Sequence, residues 1–454
     1  MDGRAKVTGE TRFADDLSMP GMLHMKLTRS SVPHARILEV DAAAALAVPG
    51  VRAVLTGRDF PVPYGILPVS QDEHALCTDR VRFVGDPVAA VVAADELAAE
   101  EAARLVAVRT QPLATIASPE EALATPEPRL HEYGDGGNVH KAVALDFGDV
   151  PAALASAEHV FEDLFFYQGS THLALEQHAT LAYLDPDGRL TIATSTQVPH
   201  YLHRAAAKVL GLPPAHIRII AQPQGGGFGG KTDVFNHEIV AAKAALVTGR
   251  PVKICLTREE VFYCHRGRHP TLMRMRTGVG KDGGILGHSV ETLLDGGAYG
   301  SYGVASTFYT GALETVTYRM DRYRFRGCRT FTNKPPCGPK RGHGTPQPRF
   351  ALECHIERIC RDLGLDPAEW RLNNAVEPGT ITANQMKVRT IGLRECLERV
   401  VEKSGFRDKY GKLGAGRGIG IAASAYISGA GLPIYWNAMP HSGVQIKVDR
   451  GGGV

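Results

Sequence analysis

Eight consecutive residues, Gly225-Gly226-Gly227-Phe228-Gly229-Gly230-Lys231-Thr232, are the stretch of this chain best suited to chemistry. Read literally they satisfy G-x-x-x-x-G-K-[ST], the phosphate-binding P-loop signature. Such a loop cradles phosphates in backbone N–H groups, with Lys231 on the terminal phosphates and Thr232 on Mg²⁺. A working NTPase also needs an apolar strand ending in a metal-binding Asp. The candidate, 289–295, carries Glu291 mid-strand and runs on into Gly296-Gly297-Ala298-Tyr299. The loop also lies deep within its domain rather than near its first strand. The P-loop is therefore the weaker reading. Five glycines around one Phe make a loop that is entropically costly to order, and close approach of backbone to a ligand accounts for it better.

Two other groups carry charge or metal-binding atoms. Arg319, Arg322, Arg324, Arg326 and Arg329 crowd one strand, with Arg322, Arg324 and Arg326 on a single face by the two-residue period. They could meet CoA or dinucleotide phosphates, but a solvated or subunit-facing strand is the simpler account. Cys354-His355 and Cys360 form the densest Cys/His group. On a helix, 354 and 360 face different ways, so a buried thiol and a surface histidine are expected.

The glycine loop needs a strand before it and a helix after it. Ile217–Ala221 reads as the strand and 234–246 as the helix, stopped by Gly249 and Pro251. Upstream, Leu190–Thr194 reads as a strand and 198–210 as a helix that Gly211 and Pro213-Pro214 end. Further strands are expected at 252–257, 289–294 and 318–330, and a long helix at 348–363. Residues 1–115 mix strands (22–27, 51–55, 87–92) with an Ala/Glu-rich helix at 94–104. Residues 116–140, rich in Pro, Ala, Glu and Gly, read as a linker. A larger unit spans 141–375, and another begins at 376 with a helix at Leu393–Ser404. The expected fold class is α+β.

Composition narrows the functional classes. The chain has 454 residues, 44% hydrophobic and 22% charged, with 51 Lys plus Arg against 48 Asp plus Glu. That balance argues against a nucleic-acid or membrane-surface footprint. No apolar run is long enough to span a bilayer, and the N-terminus lacks a signal-peptide core. The eight cysteines include no C-x-x-C pair, which disfavours zinc ribbons and iron–sulfur clusters in this chain. Scattered reduced thiols suggest the cytoplasm. Residues 444–449 read as a strand entering a turn at Arg450-Gly451-Gly452-Gly453, and the chain then stops. An unclosed hairpin suggests that the sequence is truncated.

The glycine loop keeps informative company. The segment 225–231 resembles the G-G-G-F-G-G-K loop of the xanthine oxidase (molybdenum hydroxylase) family. Ser195-Thr196-Gln197 resembles its S-T-Q segment, and Lys340-Arg341-Gly342-His343-Gly344-Thr345-Pro346-Gln347 its F-R-G-F-G-x-P-Q segment. Asp295-Gly296-Gly297-Ala298-Tyr299, Thr257-Arg258-Glu259-Glu260 with Arg268-His269, and Gly364-Leu365-Asp366-Pro367 with Arg371 and Asn374 also fit. The opening, Gly3 to Gly9 with Phe13-Ala14-Asp15-Asp16, resembles the family's α/β hammerhead domain. The resemblance thus implies a hammerhead domain (1–115), a first molybdenum-cofactor-binding domain (141–375) and the start of a second (376–454).

It also implies roles. Gln197 would donate to an oxo ligand of the molybdenum, the Gly227-Phe228-Gly229 backbone would lie against metal and pterin, and Arg341 would bind the pterin or its phosphate. The implied cofactor is molybdopterin cytosine dinucleotide, with FAD and iron–sulfur clusters on partner subunits. Where xanthine dehydrogenases carry a Glu after the loop lysine this chain has Thr232, which disfavours purines. His343 replaces an aromatic clamp, and Tyr309 falls where a substrate-contacting Arg is placed. Both are proton donors, which suits reduction. The pair, with 429–436, resembles the family's 4-hydroxybenzoyl-CoA reductases, which convert an aromatic CoA thioester to benzoyl-CoA. An oxidative hydroxylase of aldehydes or N-heterocycles, a P-loop NTPase and a non-catalytic paralogue are the alternatives.

Overall fold

The computed structural model of the chain describes residues 3–426 and 444–453. A seven-stranded mixed sheet runs, edge to edge, Ile217–Ala221, Leu190–Thr194, Ala179–Leu184, Val252–Cys255, Leu23–Arg29, Pro87–Ala93 and Val51–Thr56. Leu23–Arg29 pairs in parallel with Val252–Cys255, so one sheet joins strands from the first 115 residues to those flanking the glycine loop. Every residue of Pro87–Ala93 is buried, which explains its unbroken apolar run: both faces of the strand are covered. The helix Asn236–Thr248 packs on this sheet, and its small Ala side chains let it lie close.

A second, five-stranded sheet has the order Val139–Phe147, Tyr323–Thr330, Ile285–Asp295, Thr271–Val279 and His159–Tyr167. The helices Gly303–Ala312 and Pro346–Leu363 pack against it. A small sheet of Arg80–Val81, Ala35–Asp41 and Ala107–Pro112 completes the N-terminal part. The fold is α+β, as the pattern suggested. The connecting segment 116–140 is packed rather than loose. It holds a short helix, Pro119–Ala124, and buries Ile116, Ala122 and Leu130 against Phe331.

Several local expectations need correcting. The strand expected at 318–330 begins only at Tyr323, because Arg319 N–H is tied to the Asn374 carbonyl at 2.9 Å. Arg322 therefore precedes the strand, and only Arg324 and Arg326 share its outer face, both paired with Asp146 at 3.2 and 2.7 Å. Arg329 points the other way and is wholly buried. It donates to the carbonyls of Gly296 and Tyr299 and to ring nitrogens of His140 and His269. His355 is buried, not on the surface, because its ring is held between Asp163 and Thr277; Cys360 is buried and Cys354 exposed. Residues 444–449 form no strand and are exposed. The 429–436 stretch lies outside the described residues. Among the described residues, no helix is long and apolar enough to cross a membrane.

Candidate functional site

Register brings the motifs together. Leu190–Thr194 and Ile217–Ala221 are parallel neighbours with Thr194 opposite Ala221, so both chains leave the sheet at the same end. The first continues into Gln197 and the helix Pro199–Leu210; the second continues into the glycine loop. Gln197 is the hinge between them. Its N–H donates to the Lys231 carbonyl at 2.7 Å, and its Oε1 accepts the N–H groups of Gly229 and Lys231, each at 3.2 Å. With the amide oxygen committed to the loop, the exposed NH₂ of Gln197 is the donor left to face outward.

The glycines have a nearer purpose than ligand approach. A Cβ on Gly227 would lie 2.6 Å from Gln197 Oε1. Gly229, at φ +96°, would place a Cβ 2.8 Å from the Pro339 carbonyl oxygen. The loop is thus wedged between Gln197 and the segment that leads to Arg341, and only glycine fits both contacts. Between them Phe228 takes a left-handed φ of 51° and stays 45% exposed. Arg341 crosses that ring at 5.5 Å, and its N–H donates to the Phe228 carbonyl at 2.9 Å. The Arg341 guanidinium has no carboxylate partner among the described residues.

The segment 340–347 is held from beneath by Arg268. This largely buried guanidinium donates to the carbonyls of Lys340, Arg341 and Gly342 and to Gln347 Oε1. His172 adds a bond to the Pro339 carbonyl at 2.7 Å, and Lys340 Nζ reaches Ser170 Oγ at 2.7 Å. His343 then meets the helix Gly303–Ala312. Its Nε2 lies 2.6 Å from Ser306 Oγ, and its ring centroid is 5.3 Å from that of buried Tyr309. Burial, then the nearby Arg268 charge, pushes the His343 imidazole down to about 3. The ring is therefore neutral around pH 7.

P-loop chemistry is not built here. Lys231 Nζ is ion-paired with Glu176, both buried, and Glu176 also accepts the Gly225 N–H at 2.9 Å. The helix starts at Asn236, four residues past Thr232, and Thr232 Oγ1 is bonded back to the Gly229 carbonyl. Both side chains are committed within the protein. What the site does offer is one outward amide donor, one planar guanidinium with no carboxylate partner among the described residues, and an exposed aromatic ring on a rigid loop. That set suits an anionic ligand carrying a flat ring and oxygen acceptors. Glu176, Ser306 and the role of Arg268 were not foreseen, since no local pattern links them to the residues they hold.

Residues 130–375 match the family description "Molybdopterin cofactor-binding domain", and residues 8–114 match "Aldehyde oxidase and xanthine dehydrogenase, a/b hammerhead domain". The xanthine dehydrogenase molybdenum-binding subunit of Escherichia coli O157:H7 is 35% identical over 448 residues, covering 94% of this chain and 59% of that protein. The nicotinate dehydrogenase large molybdopterin subunit of Eubacterium barkeri is 36% identical over 405 residues, 89% of this chain and 94% of that one. Among solved structures, the aldehyde oxidoreductase of Desulfovibrio gigas superposes with a TM-score of 0.85 at 28% identity, over 91% of this chain and 47% of that one. Quinoline 2-oxidoreductase from Pseudomonas putida 86 gives 0.83 at 28% identity, over 90% and 54%. Apart from the nicotinate dehydrogenase subunit, the chain spans about half the length of these relatives. With the cofactor-domain match covering more than half of the chain, it belongs to the xanthine oxidase family, among the molybdopterin-binding large subunits.

Proposed function

We propose that this chain forms one wall of the cofactor site in an oxidative molybdenum hydroxylase whose substrate is an aromatic N-heterocycle, with aldehydes as the second substrate class. The observation that carries the direction is the state of His343. Half-buried, bonded to Ser306 Oγ and with its pKa pushed down to about 3, the ring is uncharged near neutrality and holds no extra proton for a ring that is being reduced. That removes the main support for reductive dehydroxylation of 4-hydroxybenzoyl-CoA, and an aromatic CoA thioester is no longer the favoured substrate. Relatives named xanthine dehydrogenase and nicotinate dehydrogenase, and a structural neighbour named quinoline 2-oxidoreductase, support a heteroaromatic substrate. Thr232 offers no carboxylate to purine nitrogens, so a pyridine- or quinoline-like ring suits the site better than a purine.

When bound, the molybdenum group supplies oxygen transfer to the ring and takes up the electron pair. This chain's residues hold and orient it. Gln197 presents its NH₂ as an uncharged donor to an oxygen of the group. Arg341 offers a planar fork to the pterin or its phosphate, and the Phe228-Gly229 backbone lines the pterin plane. Tyr309 and His343 line the substrate side as hydrogen-bonding groups, with the His343 ring uncharged near neutrality. The cytosine dinucleotide form of molybdopterin, and partner subunits that carry iron–sulfur clusters and FAD, belong to the same proposal. The test is anaerobic dye reduction by the complex assembled with those partners. Nicotinate or quinoline should reduce the dye, and 4-hydroxybenzoyl-CoA with a strong reductant should yield no benzoyl-CoA. The opposite pair of results overturns the reading.

A further inference from the structure

A line of buried polar side chains crosses the five-stranded sheet away from the cofactor loop. At its inner end is Glu314, just beyond the helix that carries Ser306 and Tyr309. Its Oε2 lies 3.8 Å from His288 Nε2, and both groups are fully buried. His288 Nδ1 is 2.7 Å from Thr277 Oγ1, which faces it directly across paired strands. Thr277 Oγ1 is 2.9 Å from His355 Nε2, on the long helix above the sheet. His355 Nδ1 is 2.5 Å from Asp163 Oδ2, and Asp163 is partly exposed and paired with Arg358. We infer that Glu314, His288, Thr277, His355 and Asp163 form a proton path that connects a buried carboxyl to the surface.

The donor and acceptor pattern supports conduction. Each imidazole has one N–H and one bare nitrogen, and the threonine has one hydroxyl proton. The bonds can therefore all point outward to Asp163 or all point inward to Glu314. With Asp163 accepting beside Arg358, the bonds point outward, which leaves His288 Nε2 bare and facing Glu314. Those two states are the start and finish of one transfer. Glu314 gives its proton to His288 Nε2; His288 gives its Nδ1 proton to Thr277. Thr277 passes its own to His355 Nε2, and His355 passes its Nδ1 proton to Asp163. One proton enters, one leaves, and no electron moves.

The inner gap is where the path opens and closes. At 3.8 Å it is too long for a hydrogen bond, yet Glu314 Oε1 and His288 Nε2 are both buried without a hydrogen-bond partner. A small movement of the Glu314 carboxyl would bring one of its oxygens within bonding reach of His288 Nε2. The other groups around Glu314 are Tyr323, whose hydroxyl lies 3.2 Å from Oε2 and 2.9 Å from the Gly311 carbonyl, and the buried Arg349, which donates to the Glu314 carbonyl at 2.8 Å. Burial pushes the Glu314 carboxyl up to about 8, so it carries a proton to give near neutrality.

The test uses the full chain and infrared spectroscopy, with no cofactor required. A protonated-carboxyl stretch that disappears in Glu314→Gln reports Glu314. On mixing with heavy water, the shift of that band measures how fast its proton exchanges. Thr277→Val keeps the side-chain shape but cuts the path, and should slow exchange by about 10²-fold, while Thr277→Ser restores it. Asp163→Asn, at the partly exposed end, should also slow exchange and covers the case in which Thr277→Val does not fold. If these residues serve packing alone, the Val and Asn variants loosen the structure and exchange is unchanged or faster. That result, or the absence of a Glu314 band, overturns the inference.

Discussion

The imidazole Nε2 of His343 sits 2.6 Å from the Ser306 hydroxyl, on the helix that also presents Tyr309. A half-buried ring held this way stays uncharged: desolvation, then the Arg268 charge, pushes its pKa from 6.5 down to about 3. Between about pH 5 and 8 an NMR titration of this histidine should show a neutral ring throughout, where a free imidazole would titrate. In the assembled enzyme, His343→Phe should lower kcat by less than about tenfold, against the 10²–10⁴-fold expected for a lost proton donor. A loss in the larger range would restore the reductive reading.

Lys231 and Glu176 make the second test. Their side chains are 1% and 8% exposed, so removing one charge strands the other in the interior. Lys231→Met should cost about 3–5 kcal/mol in urea unfolding, and adding Glu176→Gln should recover most of it. Because Lys231 is committed to Glu176, calorimetry should detect no magnesium-dependent ATP binding at micromolar nucleotide. Binding that Lys231→Met abolishes would reinstate the P-loop.

Histidines packed around the loop predict acid sensitivity. His172 and His265 are lowered to about 4 and His237 to about 3, all mainly by burial, and His178 is lowered well below its ordinary value for the same reason. A folded-state pKa below the unfolded 6.5 means that the unfolded chain binds protons first as pH falls. Stability is therefore complete above pH 6.5 and is lost as pH drops toward these lowered values, by up to about 1.4 kcal/mol per pH unit for each histidine. The urea midpoint should fall steeply between about pH 6.5 and 4.5. A flat profile would mean that these rings are less buried than described.

The glycine loop, its strand and its helix were legible because their signals are local: apolar runs, glycine stops and a dense glycine cluster. The partners that set the chemistry were not. Glu176 is 55 residues from Lys231, and Arg268 is 72 residues from the Lys340 carbonyl that it holds. No spacing rule connects them; only the sheet order does. His343 was visible as a titratable residue, but its neutral state depends on burial, which the sequence does not report. His355 was misread for the same reason. A histidine beside an exposed cysteine on a helix gave no sign that Asp163 and Thr277 would enclose it.

Gln197 gives the sharpest separation of fold from function. Its carbonyl oxygen holds the loop through Gly229 and Lys231, while its NH₂ faces outward. Gln197→Glu keeps an oxygen acceptor for both N–H groups, with a charge that strengthens those bonds. Loop geometry and melting temperature should therefore stay close to wild type. The outward donor, however, becomes a carboxylate that repels an electron-rich oxygen of a bound molybdenum group. In the assembled enzyme, turnover should fall by about 10²–10³-fold, the usual loss when a positioned donor is removed from a reacting centre. Gly227→Ala should do the reverse: its Cβ would sit 2.6 Å from Gln197 Oε1, dislodging the loop and lowering both stability and molybdenum content. If Gln197→Glu turns over at the wild-type rate with unchanged stability, Gln197 is a strut for the glycine loop and makes no contact with the reacting group.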